Sequence, residues 1–526
     1  MKTRDLQWYD LFERRGTRRD FLRLGGGVAG VIALGSLPSC GTARGVRFRD
    51  DPFPLGVASG DPAPDGVVLW TRLGPTALDA SGTVTGAVDV AWEIAEDEAF
   101  ARVVRSGSAA ALPELGHSVH VEVDGLAGGR DYFYRMIAGG EPSPVGRTRT
   151  APPAGDPIDR LRFAFISCQH YETGWYTALR HLAAEDVGFV AHLGDYIYEG
   201  GRDRRVRVHE GPEVTTLEGY RARYTTYRSD VDLQAAHAAA PWIVTWDDHE
   251  VDNDYAGTAA EDDQNPDQLL LRRAAAYQAY YEFMPLRRSS MPNGPDMPLY
   301  RRLAFGDLVE MSVLDTRQYR SKQPCGGENE VTCAAHVSPG QTILGDAQRR
   351  WLADGLAASG ARWNVLAQQV MMARLRGVRD DGSETWSMDK WDGYPGERRA
   401  LLDLLAERRV SNPVVLTGDI HSHWVTDLLA DFEDERSAVV ATEFVGTSIS
   451  SGGDGQAMTA GGERIVGVNP HIRFYNGQRG YVVATVTPDL WTSDYRIVPY
   501  VSEPGAPLET AASFVVESGT AGAQRA

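Results

Sequence analysis

An α/β domain with a β-sandwich in front of it is the fold that the sequence predicts, and three observations predict it. From Arg160 onward, apolar strand-like runs alternate with helical stretches, as in an α/β sheet. Between Phe53 and Arg149 the chain instead reads as short strands and turns. The segment from Thr150 to Pro157, Thr-Ala-Pro-Pro-Ala-Gly-Asp-Pro, is a Pro- and Gly-rich junction of the kind found between domains. The chain has 526 residues, 42% apolar and 24% charged, an ordinary globular composition. That composition excludes a disordered chain, a collagen and a polytopic membrane protein.

The first element is an address. Thr17-Arg18-Arg19-Asp20-Phe21-Leu22 forms a twin-arginine pattern, and an uncharged run from Leu24 to Leu37 follows. That run falls short of the roughly 20 residues a membrane-spanning helix needs. Residues 1–40 therefore read as a cleavable signal for the twin-arginine export machinery, outside the fold. The expected location is the periplasm, the cell surface or the medium. Leu37-Pro38-Ser39-Cys40 resembles a lipoprotein cleavage box with an atypical proline, so a lipid anchor at Cys40 and soluble release both stay open.

Residues 45–150 are the expected β-sandwich. Val67–Leu73, Val88–Ile94 and His117–Val123 read as strands, the last two alternating with period two. Gly60-Asp61-Pro62 and Asp65-Gly66 punctuate them as turns. Asp124-Gly125-Leu126 followed by Tyr132-Phe-Tyr-Arg135 looks like the late strands of a fibronectin-III or immunoglobulin-like sandwich. Residues 158–516 are the expected α/β domain, and 517–526 a flexible tail.

One event recurs in the α/β domain. An apolar strand ends and polar, metal-capable residues follow at once. Leu161–Ile166 runs into Ser167-Cys168-Gln169-His170, and Val187–Leu193 into Gly194-Asp195-Tyr196-Ile197-Tyr198. Trp242–Trp246 runs into Asp247-Asp248-His249-Glu250, and Pro413–Thr417 into Gly418-Asp419-Ile420-His421-Ser422-His423. Open α/β sheets bind ligands beyond the carboxyl ends of their strands, so four such ends point to one site. Each cluster alone has an ordinary reading, as a turn, a helix cap, a core histidine or a small buried thiol. Four together do not.

Asp195, Asp248 and Asp419 in one site concentrate negative charge, which a cation must compensate. Carboxylate oxygens suit calcium, magnesium or manganese, whereas Cys168, Tyr198 and His421 suit a more acidic transition ion. Thiolate with phenolate leans toward ferric iron, and the mixed set toward two unlike ions bridged by Asp195. Such centres hydrolyse phosphate esters. The chain itself has 53 Lys and Arg against 72 Asp and Glu, a formal charge of −19, so no duplex nucleic-acid partner is expected.

The motifs resemble the PhoD-type alkaline phosphatase and phosphodiesterase family of the metallophosphoesterase superfamily. The resemblance is carried by Phe163-Ala-Phe-Ile-Ser-Cys-Gln169, Gly194-Asp-Tyr-Ile-Tyr198 and Thr245-Trp-Asp-Asp-His-Glu-Val-Asp-Asn-Asp-Tyr255. Leu314-Asp-Thr-Arg-Gln-Tyr-Arg320, Trp391-Asp-Gly-Tyr394, Leu416-Thr-Gly-Asp-Ile-His421 and, near the amino terminus, Gly56-Val-Ala-Ser-Gly-Asp61 continue it. It implies an αββα metallophosphoesterase sandwich that binds iron and calcium and hydrolyses phosphate mono- and diesters through a metal-activated hydroxide. By the same resemblance Cys168, Asp195, Tyr198 and His421 hold iron. Asp195 then bridges to calcium with Asp419 and with Asp248, or with Asn253 as the second choice. His249 is the expected partner of the leaving group or phosphate, against a purely supporting hydrogen bond. Arg317 is the expected phosphate clamp, against a structural salt bridge. Gln369 reads as a buried amide, and His423 lies outside the ligand set. Cys325 and Cys333, in a Gly-containing insertion, suit a local disulfide after export, with two unpaired exposed thiols as the alternative. Two rivals remain. One is a phospholipase-D-like diesterase on the same scaffold, favoured by an apolar rim near Trp386 and Trp391. The other is a surface-anchored binding protein with an inactive metal fold.

Overall fold

A computed structural model describes residues 48–74, 86–201, 206–209, 211–260, 265–327, 330–379 and 381–526. The twin-arginine signal and Cys40 lie outside them. Before the junction run β1 (Val57–Ala63), β2 (Gly66–Arg72), β3 (Val88–Ala95), β4 (Val103–Ala111), β5 (Ser118–Asp124), β6 (Asp131–Ala138), β7 (Glu141–Pro142) and β8 (Gly146–Arg149). After it come β9 (Leu161–Ile166), β10 (Val190–Leu193), β11 (Trp242–Thr245), β12 (Arg301–Phe305), β13 (Val309–Val313) and β14 (Trp363–Ala367). A hairpin, β15 (Gly377–Val378) and β16 (Glu384–Thr385), precedes β17 (Pro413–Thr417), β18 (His423–Leu429), β19 (Val439–Val445) and β20 (Ile472–Asn476). The chain closes with β21 (Arg479–Val486), β22 (Leu490–Val498), β23 (Glu509–Glu517) and β24 (Gln524–Arg525).

Two sheets carry the α/β domain, ordered β24-β23-β22-β21-β9-β10-β11-β1-β2-β5 and β12-β13-β14-β17-β19-β18-β20. Successive side chains of a strand point to opposite faces, so a strand covered on both sides reads as a continuous apolar run. Leu161-Arg-Phe-Ala-Phe-Ile166 is such a run. Phe163 and Phe165 pack between the sheets with Met311, Val365, Leu416 and Phe444. Ala164 and Ile166 face the other way, toward Leu179, Tyr224, Leu233 and Tyr277 of the covering helices. Helices Gly345–Ala358 and Pro395–Glu407 cover the second sheet through Leu352, Leu356, Leu402 and Leu405. The layers are therefore αββα, as expected. Among the described residues, no helix is long and apolar enough to cross a membrane.

The amino-terminal strands are shared between two sheets. β3, β4, β6, β7 and β8 form their own sheet, but β1, β2 and β5 extend the first large sheet past β11. Without them β11 would be an exposed edge with unpaired backbone groups. β1 joins it in parallel at Gly60 opposite Trp242. Only glycine fits there, because a Cβ on Gly60 would lie 2.4 Å from the Pro285 carbonyl oxygen and 2.7 Å from that of Trp242. Trp70 locks the junction, its indole N–H donating to Glu282 O at 2.9 Å beneath the Arg228 guanidinium. Residue 150 thus divides the chain but not its sheets.

The carboxy terminus also needs correction. Residues 517–526 are not a loose tail, because β24 pairs with β23 and Gly522 N–H donates to Thr442 Oγ1 at 3.2 Å. The low-complexity sequence concealed backbone pairing that does not depend on side-chain identity.

Burial gives the fold a pH limit. His192 is 1% exposed on β10, its Nε2 has no hydrogen-bond partner, and burial lowers its pKa to about 3. A histidine held neutral in the fold but titrating near 6.5 when unfolded stabilises the protein above that pH. That contribution is lost as the pH falls from 6.5 toward 3, at about 1.4 kcal/mol per pH unit for each such ring. Urea midpoints are therefore expected to fall between pH 6.5 and 4. His192→Asn, which keeps an acceptor for the Gly194 N–H, should flatten the decline by about one proton. An unchanged slope in that variant would remove His192 from the account.

Candidate metal centre

β9, β10 and β11 run parallel in one sheet, and β17 runs parallel to β14 in the other. Their carboxyl ends meet between the sheets. The contact is close enough to need glycine twice. A Cβ on Gly194 (φ +115°) would meet the Asp247 Cβ at 2.5 Å, and one on Gly418 would meet the Ser167 side chain at 2.7 Å. The residues just beyond these strands hold strained backbones, with φ of 59° at Cys168, 57° at Asp195, 63° at Asp419 and 55° at His421. Non-glycine residues adopt this region at roughly 1–3 kcal/mol each, a cost typically tolerated where function fixes the geometry.

Donor atoms of Cys168, Asp195 and His421 lie within 4.8 Å of one another, and so do those of Asp195, Asp248 and His249. Asp195 belongs to both groups. Its Oδ2 accepts from the Tyr198 hydroxyl at 2.8 Å, and its buried Oδ1 has no hydrogen-bond partner. Tyr198 Oη also lies 3.1 Å from His421 Nε2, which gathers four of the predicted iron ligands. Asp419 and Asn253 line the same cleft, a space of about 1030 Å³. The set fits a pair of cations: an orphaned carboxylate oxygen in a buried acidic cluster is a donor awaiting one.

Electrostatics point the same way. Burial, with Asp248 and Asp247 nearby, pushes Asp195 well above the usual carboxylate range, although His249 opposes it. Burial with Asp195 pushes the Tyr198 hydroxyl and the Cys168 thiol up as well. Asp254 rises to about 8 through burial and the charges of Asp389 and Asp248. Asp248 is the exception at about 2, because Arg317 and His249 outweigh its burial. Protein charges alone do not hold all these acids ionised. A bound cation would.

Arg317 is where the sequence reading fails. It is fully buried, with Nε 2.5 Å from Asp247 Oδ1 and Nη1 and Nη2 paired to the Asp389 carboxylate at 2.7 and 2.8 Å. A guanidinium committed in this way does not meet a substrate. The alternative of a structural salt bridge is what the structure contains. His249 lines the cleft with its ring tilted 35° against that of Tyr198, and its Nδ1 lies 2.7 Å from Glu199 Oε2. Gln369 bonds Thr245, Leu314 and Thr316, and His423 is a core residue that accepts the Thr447 N–H. Trp391 is buried against Gln368, and Trp386 lies under Arg374, so neither lines the cleft. Cys325 and Cys333 are joined, and Cys325, Gly326 and Gly327 form part of the cleft wall.

Against known proteins, the family model described as "PhoD-like phosphatase" matches residues 163–495. The chain belongs to the PhoD-like phosphatase family. The family's N-terminal-domain model matches residues 39–152. The chain is 48% identical to alkaline phosphatase D of Bacillus subtilis (strain 168) over 518 residues, 97% of this chain and 89% of that protein. A solved structure titled "Structure of PhoD" superposes with a TM-score of 0.88 at 50% identity, covering 91% of this chain and 93% of the other.

Within that family frame, several residues around the centre escaped the sequence reading. Glu250, 1% exposed, accepts the backbone N–H groups of Asp195, Tyr196 and Asp247 at 3.2, 2.5 and 2.8 Å, tying the β10 and β11 loops together. Lys390 Nζ lies 2.5 Å from Asp419 Oδ2. Asp254 faces the cleft six residues after Asp248. The Asp-rich run from Asp247 to Asp254 was the available signal, but nothing in its spacing separates ligands from scaffolding.

Proposed function

We propose that the chain hydrolyses phosphate mono- and diesters at an iron–calcium centre, after export by the twin-arginine route. The reading rests on one observation, the Asp195 carboxylate shared by the Cys168/His421 and Asp248/His249 donor groups. Thiolate, phenolate and imidazole from Cys168, Tyr198 and His421 suit ferric iron, and the oxygens of Asp248, Asn253 and Asp419 suit calcium. When bound, the ions supply Lewis acidity and an acidified water.

The chain's own residues do the rest. Asp195 fixes the spacing of the two donor groups, because its loop is clamped by Glu250. Glu199 accepts from His249 Nδ1, which leaves Nε2 as the ring's other polar atom, suited to protonating the leaving oxygen. Arg317 acts on no substrate and instead holds Asp247 and Asp248 in place. Cys168 serves as a ligand rather than a nucleophile. Residues 1–40 act as the export signal, and Cys40 offers the lipid anchor. No observation favours a phospholipase-like rim, since Trp386 and Trp391 are buried away from the cleft.

The test is metal content by elemental analysis on protein exported by its native route, with chromogenic mono- and diester assays before and after calcium chelation. Iron near one per chain, with turnover lost on chelation and restored by calcium, is the expected result. Zinc or manganese in place of iron would overturn the roles of Cys168 and Tyr198. Folded protein with neither metal nor turnover after metal is added back would leave a binding protein.

A further inference from the structure

The cleft has an electrostatic problem that its ligands do not solve. Its described lining includes the carboxylates of Asp195, Asp248, Asp254 and Asp419, while the arriving substrate is itself an anion. Arg317, the obvious cation, is sealed beneath Asp389. Two lysines also line the cleft, Lys322 and Lys390. Lys322 is exposed, whereas Lys390 is 5% exposed and its ammonium reaches Asp419 Oδ2 at 2.5 Å.

The backbone fixes this ammonium in position. Lys390 follows Asp389, whose carboxylate is gripped by Arg317, Arg320 and Gln323. It precedes the turn Trp391–Gly393, in which Trp391 is fully buried and Gly393 N–H donates to Lys390 O at 2.9 Å. A lysine carried between two such anchors cannot swing out to solvent at will. Its compact ammonium has three rotatable donors, enough to serve a carboxylate and a phosphate oxygen together.

We propose that Lys390 binds the substrate's phosphoryl group, its Nζ donating to a non-bridging phosphate oxygen while Asp419 holds it at the cleft wall. The assignment rests on the hydrolase reading and adds the residue that replaces Arg317 as the phosphate contact. It differs from a role in which Lys390 only neutralises Asp419. That role would alter metal binding and leave phosphate affinity untouched in metal-loaded protein.

The experiment compares the metal-loaded wild type with Lys390→Gln and with Lys390→Met, which keeps the buried stem if the amide variant folds poorly. Calorimetry with inorganic phosphate, the KM for a chromogenic phosphomonoester, and metal per chain are measured on each. Phosphate affinity weakened about tenfold or more, with a matching rise in KM and metal content at the wild-type level, is the expected result. Wild-type phosphate affinity and KM in either folded variant, whatever the metal content, would overturn the assignment. Absence of turnover in the wild type would count against the hydrolase reading instead, and the phosphate calorimetry would still decide the role of Lys390.

Discussion

Replacing Asp195 with alanine is expected to lower kcat/KM on the order of 10³-fold or more, because a two-cation site is worth several kcal/mol of transition-state stabilisation. The size of the effect follows from position. Asp195 is common to both donor groups, so on the proposed two-cation reading its loss weakens both cation positions, not one. Cys168→Ser removes a donor from only one group and should be milder, with iron depleted and calcium retained under the proposed assignment. Asp195→Asn keeps the shape and the Tyr198 contact but not the charge, which separates the bridging role from packing. Elemental analysis and kcat/KM on the three variants check the order. If Asp195→Ala retained both metals and turnover within tenfold of wild type, the bridge would be misassigned.

The clustering of the candidate residues was legible in the sequence because each sits at one kind of place, the first residues after an apolar strand. Phe163–Ile166, Val190–Leu193, Trp242–Thr245 and Val414–Thr417 are recognisable runs buried on both faces, and the residues directly after them are conspicuously polar. The same alternation gave the α/β class, whereas the αββα layer order came from the family resemblance. Charge pairing was not legible. Arg317, Asp247 and Asp389 meet across about 140 residues of chain, and nothing local says that an arginine after a strand will turn inward rather than toward substrate. The merger of β1, β2 and β5 with the central sheet was hidden for a similar reason. Their alternation fits a free sandwich and a shared sheet equally well, and only the close approach at Gly60 distinguishes them.

The Arg317 network yields the second large effect, this time on stability. Arg317→Met is expected to destabilise the fold by about 3–5 kcal/mol, the usual cost of leaving buried carboxylates without their counter-charge. The guanidinium is 0% exposed and contacts Asp247, Asp248 and Asp389, so its removal strands negative charge directly beneath the site. Burial pushes Asp247 well above the usual carboxylate range even with Arg317 present, and without it Asp247 has still less reason to ionise. Arg317→Lys keeps one charge but loses the two-pronged grip on Asp389, and should recover only part of the loss. Arg320 and Gln323 also hold Asp389, so the more telling partner is Asp247. In Arg317→Met combined with Asp247→Leu, the charge and its counter-charge leave together. The double variant should therefore be less destabilised than the sum of the singles, by about 1–3 kcal/mol. Urea denaturation of the four proteins at pH 7 measures this coupling. Strictly additive losses would mean that the Arg317–Asp247 pair contributes no coupling energy to the fold.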